Sequence, residues 1–572
     1  MTGTLFLIPA RGGSRRVPGK NLRALAGIPL VGWAARIANS ASVTGDVVLC
    51  STDDAAIAAA AATWGARVLD RPADLATDTA TSVDVALHAI EVVEREGGAI
   101  DRVVLVQPTS PLTDPADLGA AIALARETGR SVTSVTPSHP AAWHHRRADD
   151  GLLHGLPSAG GAEPVDPATH LLTGGFYVAS PDALRRAGRF VEPGVTLGVE
   201  VPPDRAVDID TADDLVVAAA RLRARPVPPL RIDAWEIGVD SVFVIAEAGV
   251  NHDGDVDVAH RLIDAAADAG ASAVKFQTFV PEALASAGAP TAAYQRERDG
   301  ADDQRAMLER LALPTEAWAA LQAHARERGI VFLSTPFDEA SADLLDQLDV
   351  PAFKVGSGEL TNLPFLSVLA RRGRPLIVST GMATMVEVAA AVDAIRATGE
   401  RQLALLHCVS SYPAAPDDAN LAAMATMREA FGLQTGWSDH TPGIELPVAA
   451  TALGAAIIEK HLTLDRDRHG PDHAMSMEPE EFAAMVAAIR STSRAVGDGD
   501  KVPTDAEREI ASVARRSLHW TRDLPAGTTI EAGHLTAQRP GTGLSPARTV
   551  DLVGRRTTRA VTAGALVLAE DA

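Results

Sequence analysis

The amino-acid sequence predicts an α/β protein built in three parts. Two long stretches alternate short apolar runs with Ala-rich helical segments, a pattern typical of parallel strands joined by helices. A Pro-rich segment at residues 223–232 separates the two stretches, and roughly the last 60 residues lack long helical patterns. We therefore expect a mostly parallel α/β sheet, then a second α/β domain, then a small β-rich domain.

The first stretch, residues 1–225, is predicted to form the mostly parallel sheet. Its clearest strand candidates are residues 5–10, 46–51, 102–108 and 131–135. Ala-rich segments such as residues 28–41 lie between them, which favours helices packed on parallel strands. Residues 226–240, which contain most of the Pro-rich segment, are expected to be a linker.

The second stretch, residues 241–495, contains eight strand candidates in succession. They are residues 243–250, 273–278, 331–336, 352–357, 376–380, 403–409, 435–439 and 457–463. Eight β/α units in about 250 residues predict a TIM (β/α)8 barrel. A polar linker at residues 496–511 and a small β-rich domain at residues 512–572 are expected to follow.

The composition excludes several classes of partner. The chain has 572 residues and a formal net charge of −22, so nucleic acid and anionic membranes are poor candidates. No apolar stretch approaches the length of a membrane span. The two cysteines, Cys50 and Cys408, lie in apolar strand-like runs, which predicts reduced core thiols and a cytoplasmic protein.

A Gly- and Arg-rich loop, residues 9–21, follows the first predicted strand. Gly12 and its neighbours let the backbone turn its N–H groups toward an anion, while Arg11 and Lys20 supply positive charge. The pattern suits a triphosphate, although it lacks the G-x-x-x-x-G-K-[ST] spacing of a Walker loop. A solvated basic turn would give the same pattern.

Two aspartates near the end of the first stretch form a candidate cation site. Asp208 and Asp210 are two residues apart, so on a strand they face the same side. Both carboxylates are then able to share one Mg²⁺ ion together with phosphate oxygens. Two solvated or helix-capping aspartates are the alternative.

These features belong to a series of segments in the first stretch: IPARGGS, VPGKN, STDD, RPADLATDTATS, LVQPTSPL, GGFYV and VDIDTADDL. In this order they resemble the CMP-sialic acid synthetase (N-acylneuraminate cytidylyltransferase) family. The resemblance implies a nucleotidyltransferase sheet that transfers CMP from CTP to a sugar acid and releases pyrophosphate. It implies that the CTP and sugar contacts are Arg11, Gly12, Lys20, Asn21, Arg71, Gln107 and Ser110, with Mg²⁺ on Asp208 and Asp210.

Three positions depart from that family's pattern. Arg16, Thr113 and Thr173 stand where many members carry Gly, Arg and Asn. The two threonines bear on the sugar pocket. They leave open an alternative in which this part is a nucleotide-sensing module without catalytic activity.

Polar side chains cluster at the predicted C-terminal ends of the barrel strands, where TIM barrels keep their active sites. They are Glu247, Lys275, Gln277, Thr335, Lys354, Ser357, Glu359, Ser379, Tyr412, Ser438, His440, His461 and Asp472. Buried lysines such as Lys275 and Lys354 are rare unless paired or functional, so an anionic ligand is indicated. Lys–Glu pairs that merely plug the barrel are the alternative.

Two histidines, His440 and His461, close neighbouring predicted strands. Two imidazoles there can bind a divalent metal and leave positions open for water or substrate. Histidines in the core or in loops would give the same pattern.

The barrel segments AEAGVNHDG, FKVGSGE, LLHCVSSYP, GWSDHT and IEKHLTLDR resemble the N-acetylneuraminate synthase family, and the tail resembles its antifreeze-like C-terminal (SAF) domain. The resemblance implies condensation of phosphoenolpyruvate with an N-acyl hexosamine, with Mn²⁺ or Mg²⁺ on His440 and His461. Catalytic roles are implied for Glu247, Lys275, Lys354, Glu359, Asp472 and Arg539, the last in the C-terminal domain. Substrate contacts are implied for Gln277, Thr335, Ser357, Ser379, Tyr412 and Ser438. A homodimer with swapped C-terminal domains is also implied.

Together the two resemblances predict a bifunctional enzyme that makes a sialic-acid-type nonulosonic acid and then activates it. The same chemistry on legionaminic or pseudaminic acid precursors remains open.

Overall fold

The computed structural model describes residues 3–14, 16–138, 145–147, 153–155, 170–239, 241–291, 296 and 303–572. The chain divides into two compact units, residues 1–495 and 496–572.

The first part of the larger unit is a twisted sheet covered by helices. Its strands are β1 (Gly3–Pro9), β2 (Ala24–Leu25), β3 (Ile28–Pro29), β4 (Val47–Thr52), β5 (Arg67–Asp70), β6 (Ile100–Val106), β7 (Val132–Pro137), β8 (His145–Arg147), β9 (Leu153–Gly155), β10 (His170–Ala179) and β11 (Leu197–Glu200). Its helices are α1 (Leu30–Ala41), α2 (Ala55–Thr63), α3 (Ser82–Arg95), α4 (Pro115–Thr128), α5 (Pro181–Ala187) and α6 (Ala212–Ala224).

Seven of these strands form one sheet in the order β11-β7-β10-β6-β1-β4-β5. Strand β10 runs antiparallel to β6 and β7, and the other pairs are parallel. Along β1, Leu5 and Leu7 pack into one core cluster while Phe6 and Ile8 pack into another, because successive side chains point to opposite faces. The mostly parallel sheet predicted from the sequence is confirmed.

The second part of the larger unit is a closed barrel. After the hairpin strands β12 (Leu230–Ile232) and β13 (Trp235–Ile237), its strands are β14 (Phe243–Gly249), β15 (Ala273–Thr278), β16 (Val331–Pro336), β17 (Phe353–Val355), β18 (Leu376–Ser379), β19 (Leu403–Cys408), β20 (Gln434–Asp439) and β21 (Ile457–His461). Strands β14 to β21 are all parallel, and β21 pairs with β14 to close the barrel. The predicted TIM barrel is confirmed.

Helices surround the barrel. They are α7 (Val256–Asp268), α8 (Pro281–Leu284), α9 (Gln304–Leu311), α10 (Ala317–Glu327), α11 (Glu339–Gln347), α12 (Leu363–Ala370), α13 (Met385–Ala397), α14 (Ala422–Phe431), α15 (Glu445–Ala452) and α16 (Pro479–Val496).

Residues 226–240, which the Pro-rich composition predicts as a linker, contain the β12–β13 hairpin. Leu230, Ile232 and Ile237 are buried, and they pack in one cluster with Phe243 and Ile245 of the barrel. The prolines prevent a helix here, but the alternating apolar residues still provide a face that packs on the barrel.

The sheet also packs directly against barrel helices. Arg36 of α1 donates two hydrogen bonds to Asp393 of α13, from Nε to Oδ2 (3.2 Å) and from Nη2 to Oδ1 (2.8 Å). The same guanidinium lies 5.7 Å from the ring centre of Trp33 and 5.1 Å from that of Phe431 in α14. Charge and ring contacts therefore join the two parts of this unit.

The smaller unit contains short elements: α17 (Asp505–Ala514), β22 (Ser517–Trp520), β23 (Leu535–Gln538) and α18 (Thr549–Leu552). Leu518, Trp520, Ile530 and Val567 form its small core. Helix α17 begins inside the segment expected to be a linker, where Thr504 and Glu507 form a capping box. The small β domain is as predicted. No helix in the described ranges is both long and apolar enough to cross a membrane.

Candidate active sites

The N-terminal part contains a cavity of about 510 Å³ beyond the ends of β1 and β6. Six of the predicted site residues line it: Arg11, Lys20, Asn21, Arg71, Gln107 and Asp210. The cavity thus gathers residues that lie up to two hundred positions apart in the sequence, and four of them carry charge.

The loop after β1 is held in shape by its own contacts. Asn21 Nδ2 donates to the carbonyl of Arg11 (2.9 Å), and the backbone N–H of Gly12 donates to Asp53 Oδ1 (2.9 Å). A Cβ atom at residue 12 would lie 2.9 Å from Asp54 Oδ2, so a side chain at this position would force the loop to move. Arg15, in the same loop, lies outside the described residues.

Asp210 is held by two cationic side chains. Arg16 Nη1 lies 2.8 Å from Asp210 Oδ2, and Lys20 Nζ lies 3.2 Å from Asp210 Oδ1. Lys20 also donates to the carbonyl of Ile209 (2.9 Å). Burial, together with the charge of Asp210, raises the pKa of Asp208 above its usual value. This mutual repulsion between two carboxylates fits a site for a cation such as Mg²⁺.

Of the remaining predicted residues of this site, Arg71 and Gln107 line the cavity. Arg71 donates to the carbonyl of Ser51 (2.7 Å) and to its hydroxyl (3.2 Å). Gln107 Oε1 accepts from the Thr109 hydroxyl (3.3 Å). Ser110 is buried, and its Oγ has no partner among the described residues. Gly12, Ser110 and Asp208 are not part of the cavity lining, although Asp208 approaches Gln107 beside Gly174.

Two of the departures from the family pattern make internal hydrogen bonds. The Thr113 hydroxyl donates to the carbonyl of Ser110 (2.9 Å), and the Thr173 hydroxyl donates to Ser134 Oγ (2.6 Å). The hydroxyl protons of these two side chains are therefore used in hydrogen bonds within the protein. Arg16, the third, forms the ion pair with Asp210 described above.

In the barrel, two lysines and two glutamates form one buried ionic network. Lys275 Nζ lies 2.6 Å from Glu247 Oε2 and 3.7 Å from Glu459 Oε2, and Lys354 Nζ lies 3.5 Å from Glu459 Oε1. At most 7% of any of these four side chains is exposed. The network places two ammonium groups inside the barrel, on the third residue of β15 and on the middle residue of β17.

Glu459 is the centre of this network. Burial opposes its ionisation, but Lys275 and Lys354 outweigh burial and hold the pKa of Glu459 at about 2. Burial lowers the pKa of Lys354 and raises that of Glu247. The charges therefore depend on one another, because each would be costly to bury alone.

Hydroxyl and amide groups add further hydrogen bonds to the network. Lys275 Nζ donates to Thr335 Oγ1 (3.2 Å), and Lys354 Nζ donates to Ser379 Oγ (2.7 Å). The Ser438 hydroxyl donates to Glu459 Oε1 (2.7 Å), and Gln277 Nε2 donates to Glu247 Oε1 (3.1 Å). The structure thus brings these predicted residues together.

His440 and His461 lie beside the network, with ring centres 5.6 Å apart. Tyr412 packs on them, 4.3 Å from His440 and 6.3 Å from His461. Burial lowers the pKa of both histidines, that of His461 well below its usual value, so both rings are neutral. Asp472 Oδ2 lies 3.9 Å from His461 Nδ1, and burial with the charge of Glu247 raises the pKa of Asp472 to about 7.

The histidine pair fits a divalent metal by the chemistry of its donors. His440 Nδ1 contacts the carbonyl of Val409 (2.7 Å), which leaves Nε2 available as a ligand atom. His461 Nδ1 is buried without a partner among the described residues. No group of three or more His, Cys, Asp or Glu side chains in the described ranges could hold a metal ion. Water or substrate would therefore have to supply the remaining ligands.

Three residues stand differently from the sequence prediction. Glu459 was missed, yet it is the carboxylate that both lysines share. Glu359 lies in the loop after β17 and accepts from Asn362 Nδ2 (2.8 Å). Arg539 belongs to the smaller unit, where its Nε donates to the carbonyl of Ala514 (3.0 Å). The catalytic roles that the family resemblance implies for Glu359 and Arg539 therefore stay predictions.

Comparison with known proteins assigns each part of the chain to a family. The Cytidylyltransferase family model matches residues 5–143, the NeuB family model residues 262–501, and the SAF domain model residues 515–572.

Three named synthases each match more than half of this chain. N,N'-diacetyllegionaminic acid synthase of Campylobacter jejuni is 42% identical over 320 residues, which is 55% of this chain and 96% of that protein. The protein of the same name from Legionella pneumophila is 43% identical over 333 residues, 57% of this chain and 94% of that protein. Pseudaminic acid synthase of Campylobacter jejuni is 34% identical over 330 residues, 56% of this chain and 94% of that protein.

Proposed function

This chain belongs to the NeuB family, with a cytidylyltransferase domain before the synthase barrel and a SAF domain after it, and we propose that it makes a nonulosonic acid and then activates it with CTP. The observation that carries the proposal is the pair of buried lysines that share Glu459 beside two neutral histidines. That arrangement suits a phosphorylated carboxylate and a metal-bound carbonyl.

In the barrel, the proposed reaction joins phosphoenolpyruvate to the aldehyde of an open-chain N-acyl hexosamine. Carbon 3 of phosphoenolpyruvate attacks the aldehyde carbon, water adds at carbon 2, and phosphate leaves with cleavage of the C–O bond. Lys275 and Lys354 neutralise the carboxylate and phosphate, and Thr335, Ser357, Ser379 and Ser438 add hydrogen bonds. A divalent metal held by His440 and His461 would polarise the aldehyde.

Proton transfer in the barrel is assigned to its carboxyl groups. Asp472 lies beside His461, and Glu247 lies beside Lys275. We propose that these two carboxyl groups supply the proton that the aldehyde oxygen gains and accept the proton that the attacking water loses. Gln277 and Tyr412 orient the sugar.

In the N-terminal cavity, the anomeric hydroxyl of the nonulosonic acid attacks the α-phosphorus of CTP, and pyrophosphate leaves. Arg11, Lys20 and Asn21 hold the triphosphate, and Arg71 and Gln107 line the nucleotide and sugar pocket, with Ser110 as a further proposed contact outside the present cavity lining. Mg²⁺ on Asp208 and Asp210 would neutralise charge on the leaving group. Lys20 and Arg16 now pair with Asp210, so the nucleotide would take over part of their contacts.

We propose that the sugar substrate carries two N-acetyl groups. The two diacetyllegionaminic acid synthases are 42% and 43% identical to this chain, against 35% and 34% for the N-acetylneuraminate-9-phosphate synthases of Mus musculus and Homo sapiens. A substrate with one N-acetyl group is the competing possibility.

The test is to assay the full chain with phosphoenolpyruvate, CTP and a panel of mono- and diacetylated hexosamines, and to measure phosphate, pyrophosphate and product mass. Lys354→Met should stop phosphate release, and its pyrophosphate release should then depend on added sugar acid, whereas Lys20→Met should stop pyrophosphate release alone. Lys501→Met, an exposed lysine outside both sites, is the matched control.

The nucleotide-sensing alternative predicts a different result in the same assay. CTP would bind and would change the rate of phosphate release, while no pyrophosphate would form from CTP and the purified sugar acid.

A further inference from the structure

Cys408 is the last residue of β19, and it lies beside the proposed phosphoenolpyruvate site. Its Sγ is 3.1 Å from the hydroxyl oxygen of Ser357, which follows β17, two strands away in the barrel. The charge of Lys354 also acts on the thiol. The thiol therefore touches a residue to which substrate binding has been assigned, although it has no assigned role itself.

Strand β18 lies between β17 and β19. Just after β18, the backbone comes close to the side chains of Ser357 and Cys408. The backbone N–H of Gly381, just after β18, donates to Ser357 Oγ (3.0 Å). A Cβ atom at residue 381 would lie 2.8 Å from both Cys408 Sγ and Ser357 Oγ and would clash with Ser410 Oγ. Only glycine lets the backbone come this close, so three consecutive barrel strands fix the position of the Ser357 hydroxyl.

We propose that Cys408 is a positioning residue that donates its S–H to Ser357 and so directs the Ser357 hydroxyl proton toward the anionic substrate. This inference rests on the proposed condensation.

The geometry allows either atom to be the donor, and the direction that we propose rests on a count of the available groups. A serine hydroxyl has two acceptor positions and one proton. The Gly381 N–H occupies one acceptor position. Burial raises the pKa of Cys408, so the thiol keeps its proton and can occupy the second acceptor position. The remaining direction is that of the Ser357 O–H, which is then free to donate to a carboxylate or phosphate. If Ser357 donated to the sulfur instead, its hydroxyl proton would not be available for a hydrogen bond to the substrate.

Steady-state kinetics of the full chain test the proposal. Cys408→Val roughly keeps the side-chain volume but removes the hydrogen-bond donor. Cys408→Ala removes the donor and most of the volume, and Cys408→Ser keeps a hydrogen-bond donor. We expect both Val and Ala variants to raise the KM for phosphoenolpyruvate about tenfold or more, the effect of one lost hydrogen bond to a charged group, with kcat within about twofold of wild type. Cys408→Ser should restore the KM. Cys50→Ala, which removes the other buried thiol in the first sheet, is the control.

Three outcomes would overturn the proposal. They are an unchanged KM in Cys408→Val and Cys408→Ala, an equal rise in Cys408→Ser, and a loss confined to kcat or thermal stability. The wild-type rate separates this inference from the proposed function. A wild-type chain that releases no phosphate refutes the condensation itself, whereas an active wild type with insensitive variants refutes only the role of Cys408.

Discussion

In the N-terminal cavity, Asp210 pairs with Arg16 and Lys20 while 49% of its side chain remains exposed, whereas in the barrel Glu459 pairs with Lys275 and Lys354 with 7% of its side chain exposed. The first group of charges is at the protein surface and can exchange partners with an incoming nucleotide. The second is enclosed and is fixed before any ligand arrives. If the proposed function holds, one chain uses two different ways to hold a phosphorylated substrate.

The difference has an energetic consequence. Exposed ion pairs contribute little to stability because water and salt screen them. Removing one partner of a buried pair leaves an uncompensated charge and costs about 3–5 kcal/mol. Substitutions in the barrel network should therefore affect both folding and activity, and substitutions in the cavity should affect activity alone.

The largest effect is expected for Glu459→Gln. The change leaves Lys354 without a carboxylate partner and should lower the free energy of unfolding by about 3–5 kcal/mol. Phosphate release, measured well below the melting temperature, should also be lost, because the two lysines would no longer be held in place. Glu282→Gln, which removes an exposed partner of Arg305, is the matched control and should change neither quantity.

The same variant distinguishes a catalytic network from Lys–Glu pairs that only plug the barrel. A plug predicts lower stability with an unchanged rate in the folded protein. Full phosphate release from folded Glu459→Gln would contradict the catalytic assignment.

A selective loss is expected for Asp210→Asn. Pyrophosphate release from CTP and sugar acid should fall at least about 100-fold, since a metal ligand worth several kcal/mol of charge stabilisation is gone. Phosphate release and the melting temperature should stay near wild type. Asp213→Asn, an exposed position in the first turn of α6, should leave both reactions intact. Loss of condensation in folded Asp210→Asn would show that the two sites are not independent.

A partial recovery tests the swapped homodimer, which we propose from the family resemblance. Arg539→Ala and His461→Ala chains are each expected to lack synthase activity. If Arg539 serves the partner's barrel, mixing the two under conditions of subunit exchange should restore at most about half of the sites in each mixed dimer. Exchange confirmed by mass without any recovered phosphate release would refute the swap.

The smallest effect is expected at the contact between the sheet and the barrel. Arg36→Gln removes the two hydrogen bonds to Asp393 and should lower the free energy of unfolding by about 1 kcal/mol. Both catalytic rates should be unchanged. The double variant with Asp393→Asn should be no less stable than the more affected single variant, as measured by urea unfolding. A large change in either rate would mean that this contact couples the two sites.

The sequence predicted the eight barrel strands well because parallel strands buried on both faces give continuous apolar runs. It did not reveal β5 or the β12–β13 hairpin, which are only three or four residues long. It also did not reveal β10, whose apolar run is interrupted by Thr173, Gly174 and Gly175. Short strands take their stability from neighbours that are distant in the chain, and local patterns do not show those neighbours.

The sites were predictable where a residue type is unusual. The chain has five lysines among 52 basic residues, namely Lys20, Lys275, Lys354, Lys460 and Lys501. Three of these five lysines lie in the candidate sites. The scarcity of lysine is therefore itself a sequence signal for the sites. The position of Glu459 could also have been predicted from the sequence. It is two residues before His461 on one strand, so the two side chains face the same side.

The most direct test of the bifunctional assignment is a single reaction of the full chain with phosphoenolpyruvate, a diacetylated hexosamine, CTP and divalent metal. Mass spectrometry should show a CMP-linked nonulosonic acid, with one phosphate and one pyrophosphate released per product. The free acid should accumulate when CTP is omitted. Phosphate release with a free acid that is never converted to its CMP derivative, even when CTP and Mg²⁺ are in excess, would contradict the assignment.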